Sequence, residues 1–96
     1  MKNTSQKLVR EMVGGESYEY YPMGRYIVVA PGICRGRPTF KYTRIDVRHA
    51  LGLLAAGRTI KQIARGYQIP VEAIQEALAL AARVFERHAR ELAKRA

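Results

Sequence analysis

A chain of 96 residues has room for one domain with a modest core, and 48% hydrophobic with 26% charged residues excludes overall disorder. Seventeen Lys and Arg against eight Asp and Glu leave a net charge of +9, most of it in residues 27–67, where eight basic residues face Asp46 alone. Positive charge gathered in one stretch attracts phosphate or an acidic partner, and one cysteine excludes an internal disulfide and a zinc site built from cysteines.

In chain order, Asn3-Thr4-Ser5 offer helix caps, and Leu8, Val9, Met12 and Val13 follow at helical spacing until Gly14-Gly15. This predicts a short N-terminal helix. Gly15 to Gly24, with Tyr18, Tyr20 and Tyr21, reads as a loop or an edge strand. Residues 1–25 thus form a helix and a tyrosine-rich lead-in, and residues 26–96 a single hairpin plus helix-turn-helix domain.

The β-prone run Tyr26 to Ala30 is broken by Pro31-Gly32 and resumes at Thr39 to Thr43. Two short strands of this kind must lean on helices or on a second subunit. Asp46 can cap a helix with Val47, Ala50, Leu51 and Leu54 on one face, ended by Gly57. Thr59 with Gln62 three residues on matches a capping box, and Ile60, Ile63, Ala64 and Tyr67 supply the apolar side. Pro70 marks the next helix start. From Val71 onward, Ile74, Leu78, Ala81, Phe85, His88 and Leu92 alternate by four and three, which is a heptad seam. The seam either packs on the chain's own core or joins two chains as a dimer.

Residues 59–78, TIKQIARGYQIPVEAIQEAL, describe two helices across a tight break, with the small Ala64 at their crossing. The expected fold is therefore mainly α: a homeodomain-like helix-turn-helix with a short N-terminal β-hairpin and a long C-terminal helix. Gln68 occupies the turn position that usually takes glycine, so the turn is expected to be held differently. The first turns of the Val71 helix would present Glu72, Gln75 and Glu76, and two carboxylates are poor company for a phosphate backbone. Either the basic region makes the DNA contact, or the helix pair is a scaffold. The residues expected to touch phosphate are Arg35, Arg37, Lys41, Arg58, Lys61 and Arg65, with Arg44 and Arg48 structural beside Asp46.

Several strings along the chain now combine. Tyr20-Tyr21-Pro22 precedes Val28-Val29-Ala30-Pro31-Gly32-Ile33-Cys34. Gly36-Arg37-Pro38-Thr39-Phe40-Lys41-Tyr42-Thr43-Arg44-Ile45 follows. Leu53-Leu54-Ala55-Ala56-Gly57 then leads to Glu72-Ala73-Ile74 and Ala77-Leu78. Over residues 20–82 this resembles the bacterial domain of unknown function family 433. The resemblance implies a homeodomain-like helix-turn-helix and a VapB-type antitoxin that neutralises a toxin resembling PIN-domain ribonucleases and binds its own operator. Tyr42 stands where many members carry Gly, and the Gln68-Ile69-Pro70 connection is shorter than the family's.

Little else in the chain suggests chemistry. Cys34 has Arg35 and Arg37 nearby but no histidine base, and reads as a small structural residue. His49 and His88 do not make a metal site, Gly32 to Arg37 lacks the ending of a phosphate loop, and Glu11, Glu16 and Glu19 lack partners for acid–base work. No catalysis, cofactor or metal is expected. The six tyrosines pack a hairpin or a dimer surface rather than stack on bases. No secretory signal follows Lys2, and Arg83 stops the apolar run Ala77 to Ala82, so a cytoplasmic protein is expected, without a membrane partner. The expected function is a non-catalytic, DNA-binding, antitoxin-like regulator acting as a homodimer with a PIN-like toxin. The alternative is an interaction or oligomerisation module that uses the helix pair as scaffold.

Overall fold

The computed structural model describes residues 6–95, so the caps expected at Asn3-Thr4-Ser5 lie outside the described residues. Strands β1 (Val9–Val13) and β2 (Glu16–Pro22) form a hairpin in which Val13 pairs with Glu16 and Val9 with Tyr20. Gly14 and Gly15 sit at φ +59° and +84°, the doubly left-handed turn whose twist matches that of the strands. The expected N-terminal helix is thus a strand, and the Gly-Gly pair turns the chain instead of ending a helix.

Strands β3 (Ile27–Val29) and β4 (Pro38–Phe40) complete an antiparallel sheet in the order β1-β2-β3-β4. The fold is therefore α+β rather than mainly α: a four-stranded sheet with three helices. Strand β2 is interior, not an edge. Between β3 and β4 the chain makes a single 3-10 turn at Cys34–Gly36, where Cys34, Arg35 and Gly36 all have positive φ.

Strand alternation divides the core between the two faces of the sheet. Ile27 and Phe40, paired across β3 and β4, are buried against Val47, Ala50, Ile63, Ala73 and Ile74 of the helices. Val28 points the other way and is covered by Tyr18, Tyr20 and Ala30. The alternating tyrosines of β2 are what the lead-in contributes to the core. Thr39 shares this side, fully buried, with no partner for its hydroxyl among the described residues.

The helices begin where the caps predict. Asp46 Oδ1 accepts the Arg48 N–H at 2.8 Å ahead of α1 (Val47–Ala55). Thr59 and Gln62 exchange reciprocal bonds of 3.1 and 2.9 Å ahead of α2 (Ile60–Tyr67). Pro70 precedes α3 (Val71–Ala93). Helix α3 buries Ala73, Ile74 and Ala77, small enough beside Ala64 for α2 to come close, and every described residue from Ala82 onward is exposed.

The turn between α2 and α3 is not held by a substitute device. Gln68 itself takes the left-handed conformation, φ 59° and ψ 44°, and the next N–H, that of Ile69, reaches back to the Ala64 carbonyl at 3.0 Å. A side chain at this φ is strained by about 1 kcal/mol relative to glycine. Gln68→Gly should therefore stabilise the fold by roughly 0.5–1 kcal/mol, raising the melting temperature by about 2–8 °C. Calorimetry showing a drop instead would mean that the Gln68 side chain makes up for its strain.

Candidate nucleic-acid interface

The six basic residues expected at phosphates fall into two groups on different elements. Arg58 lies just before the α2 cap, outside the helix, while Lys61 and Arg65, four positions apart, share one face of α2. The opposite side of α2 buries Ile63 and Ala64. All three cations are exposed, and among the described residues none has a carboxylate within ion-pair distance.

The second group is more engaged. Arg37, exposed, lies 3.6 Å from Oδ2 of the half-buried Asp46. Thus Arg37, rather than Arg44 or Arg48, is the cation paired with the α1 cap. The Lys41 ammonium sits 5.1 Å from the ring centres of both Tyr20 and Tyr42, and its contact with the Tyr20 phenol holds its pKa above the usual lysine value. Arg35 is exposed at the crest of the 3-10 turn, at φ 56°. Cys34 is half-buried, and its thiol donates to the Arg44 carbonyl at 3.2 Å.

The start of α3 differs from its expected electrostatics. Glu72 and Gln75 are exposed, but Glu76 turns inward and accepts the backbone N–H groups of Arg25 and Tyr26 at 2.8 and 2.7 Å. Its carboxylate thereby closes the turn between β2 and β3, where Met23 and Gly24 N–H also reach the Ile27 carbonyl at 2.8 and 3.1 Å. Gly24 is needed for this approach, since a Cβ there would lie 2.6 Å from the Glu76 carboxyl carbon. One of the two carboxylates expected beside a phosphate backbone is therefore engaged by backbone donors of the β2–β3 turn. A hollow of about 520 Å³ adjoins this region, lined by Arg25, Tyr26, Lys41, Tyr42, Gln68 and Pro70 among others.

A tyrosine cluster ties the first hairpin to β4. Glu11 accepts the hydroxyls of Tyr42 and Tyr20, each at 2.8 Å, and the Tyr42 N–H donates to the Tyr18 hydroxyl at 2.9 Å. The Tyr18 ring lies 5.1 Å from Tyr20 and 5.4 Å from Tyr42. Tyr42 adopts φ 67°, the left-handed conformation that glycine would take without strain, and these contacts hold it there. The Tyr42 and Tyr20 hydroxyls keep the Glu11 pKa below its usual 4.5. Since the folded value is depressed, the tie is complete above pH 4.5 and is lost as pH falls through the lowered value. The tyrosine near-ultraviolet circular dichroism should change over this acid range, and Glu11→Gln should remove that change. The same transition in the variant would place its origin elsewhere.

Both the Glu76–Gly24 lock and the Glu11 cluster escape sequence reasoning, because their members are far apart in the chain. Among the described residues no three His, Cys, Asp or Glu gather as a metal group, and no helix is long and apolar enough to cross a membrane.

The model of the family described as Protein of unknown function (DUF433) matches residues 27–81. That range runs from β3 into α3, leaving out the first hairpin and the exposed end of α3. No curated protein matches the chain. Among solved structures, the X-ray crystal structure of Rv2018 from Mycobacterium tuberculosis is similar, with 31% identity and a TM-score of 0.51. The similarity covers 54% of this chain and 24% of that one, so the match spans about a quarter of that chain's length.

Proposed function

The chain belongs to the family described as Protein of unknown function (DUF433), and from that premise we propose that it is a non-catalytic, helix-turn-helix DNA-binding regulator of antitoxin type. The carrying observation is the exposed pair Lys61 and Arg65 on one face of α2, with Arg58 just ahead of its cap, all three free of carboxylate partners among the described residues. Cations in this state keep their full charge for phosphate, and counterion release drives the contact. The inward turn of Glu76 supports the same reading, because it points one carboxylate at the β2–β3 turn and leaves Gln75, a side chain suited to adenine, exposed beside it. The protein would act in the cytoplasm as a homodimer on the operator of its own gene, with a PIN-like toxin as its protein partner.

A hydroxyl-radical footprint on the gene's own upstream DNA tests this. The expected result is a bounded protected segment that survives moderate salt. Protection everywhere or nowhere would favour the second reading, an interaction module with the helix pair as scaffold. That reading draws on Glu72, which remains exposed in the first turn of α3.

A further inference from the structure

The distal half of α3 leaves the body of the domain with its apolar side uncovered. Phe85 is 74% exposed, Val84 55%, Leu92 48% and Leu78 41%, on a helix otherwise studded with charge. The seam available for a partner is displaced from the one the heptad count predicts. Ile74 is wholly buried in the chain's own core, and the continuous exposed stripe is Leu78, Ala82, Phe85, Ala89 and Leu92, again at steps of four and three. Large residues recur every seven positions at 78, 85 and 92, with alanines between them at 82 and 89.

We propose that this stripe pairs antiparallel with the same stripe of a second copy of this chain. In a parallel pair each residue meets its own copy, so Phe85 would crowd Phe85 while Ala89 left a void beside Ala89, both unfavourable. In an antiparallel pair centred near residue 87, Ala82 lies opposite Leu92 and Phe85 opposite Ala89. Both of these layers then hold one large side chain and one methyl, so the two helices approach evenly between residues 82 and 92, and Leu78 lies beyond them. A second copy is the occupant that fits, because the four positions 82, 85, 89 and 92 read backwards are their own size complement, as a two-fold axis requires. Residues 82–92 extend about 15 Å, and covering that length on both helices removes roughly 600 Å² from water, the size of a weak, concentration-dependent interface.

This inference rests on the homodimer of the reading above, and not on its DNA contact. Sedimentation equilibrium on the full chain is the test. The wild type is expected to show a concentration-dependent dimer, and Phe85→Glu a monomer with unchanged circular dichroism. Ala89→Leu, exposed and harmless to the fold, should weaken the dimer roughly tenfold or more by overfilling the layer with Phe85. In a Cys34→Ser background, Ala82→Cys should not cross-link to itself on mild oxidation, since the two positions lie about 15 Å apart along the pair. A monomeric wild type, a dimer that survives Phe85→Glu, an Ala89→Leu dimer as tight as wild type, or a ready Ala82→Cys cross-link would each overturn the proposal. None of these variants touches Arg58, Lys61 or Arg65, so DNA titrations on the same proteins separate failure of the dimer from failure of the DNA reading.

Discussion

Glu76→Ala is expected to destabilise the fold by about 2–4 kcal/mol, lowering the melting temperature by roughly 10–25 °C. The substitution removes two short charge-assisted hydrogen bonds, to the N–H groups of Arg25 and Tyr26. The Tyr26 donor is half-buried, so water replaces the carboxylate poorly. Glu76→Gln should lose less, about 1–2 kcal/mol, because its amide oxygen can accept one N–H while its NH₂ opposes the other. Gly24→Ala attacks the same contact from the opposite side, placing a methyl 2.6 Å from the carboxyl carbon. It should cost about 1–3 kcal/mol in the wild type and little in the Glu76→Ala background. Thermal or urea unfolding of the four proteins in this cycle measures the coupling. Additive losses would mean that Gly24 and Glu76 act independently, and that the carboxylate does not close the turn.

The triple replacement of Arg58, Lys61 and Arg65 by Ala should weaken DNA binding about a hundredfold near 0.15 M salt while leaving stability almost unchanged. Each phosphate contact contributes about 0.9 to the slope of log affinity against log salt, so losing three lowers the slope by about 2.7. Stability is spared because the three side chains are exposed and lack carboxylate partners among the described residues. Arg37→Ala should have a smaller effect on binding, since that guanidinium already lies 3.6 Å from Asp46. Fluorescence anisotropy over a salt series measures both numbers. An unchanged slope in the triple variant would move the contact surface off α2.

The helical half of the molecule is legible from its punctuation. Asp46, the Thr59–Gln62 box, Gly57 and Pro70 are local signals, and each acts within a few residues of where it is written. The first hairpin is less legible, because Leu8, Val9, Met12 and Val13 fit a helix stripe, whereas a five-residue strand offers too few positions to show its alternation. The stronger signal there is the Gly14-Gly15 pair, which suits a two-residue hairpin turn better than a helix end. At Gln68 the expectation that a turn without glycine is held differently does not hold, since Gln68 takes the left-handed conformation at a cost of about 1 kcal/mol. The placing of Lys61 and Arg65 on one face of α2 is readable because helical spacing suffices to define it. The direction of Glu76 is not readable, because its partners lie some 50 positions away and carry only backbone donors.

The central claim is that this basic α+β protein reads DNA through α2 and the start of α3. The measurement that tests it most directly is a titration of the wild-type protein against its own upstream DNA and a scrambled duplex at two salt concentrations. The account predicts a preference for the upstream DNA at both salts, with affinity falling at higher salt. Equal affinity for the two duplexes that vanishes at the higher salt, or no binding at all, would contradict it.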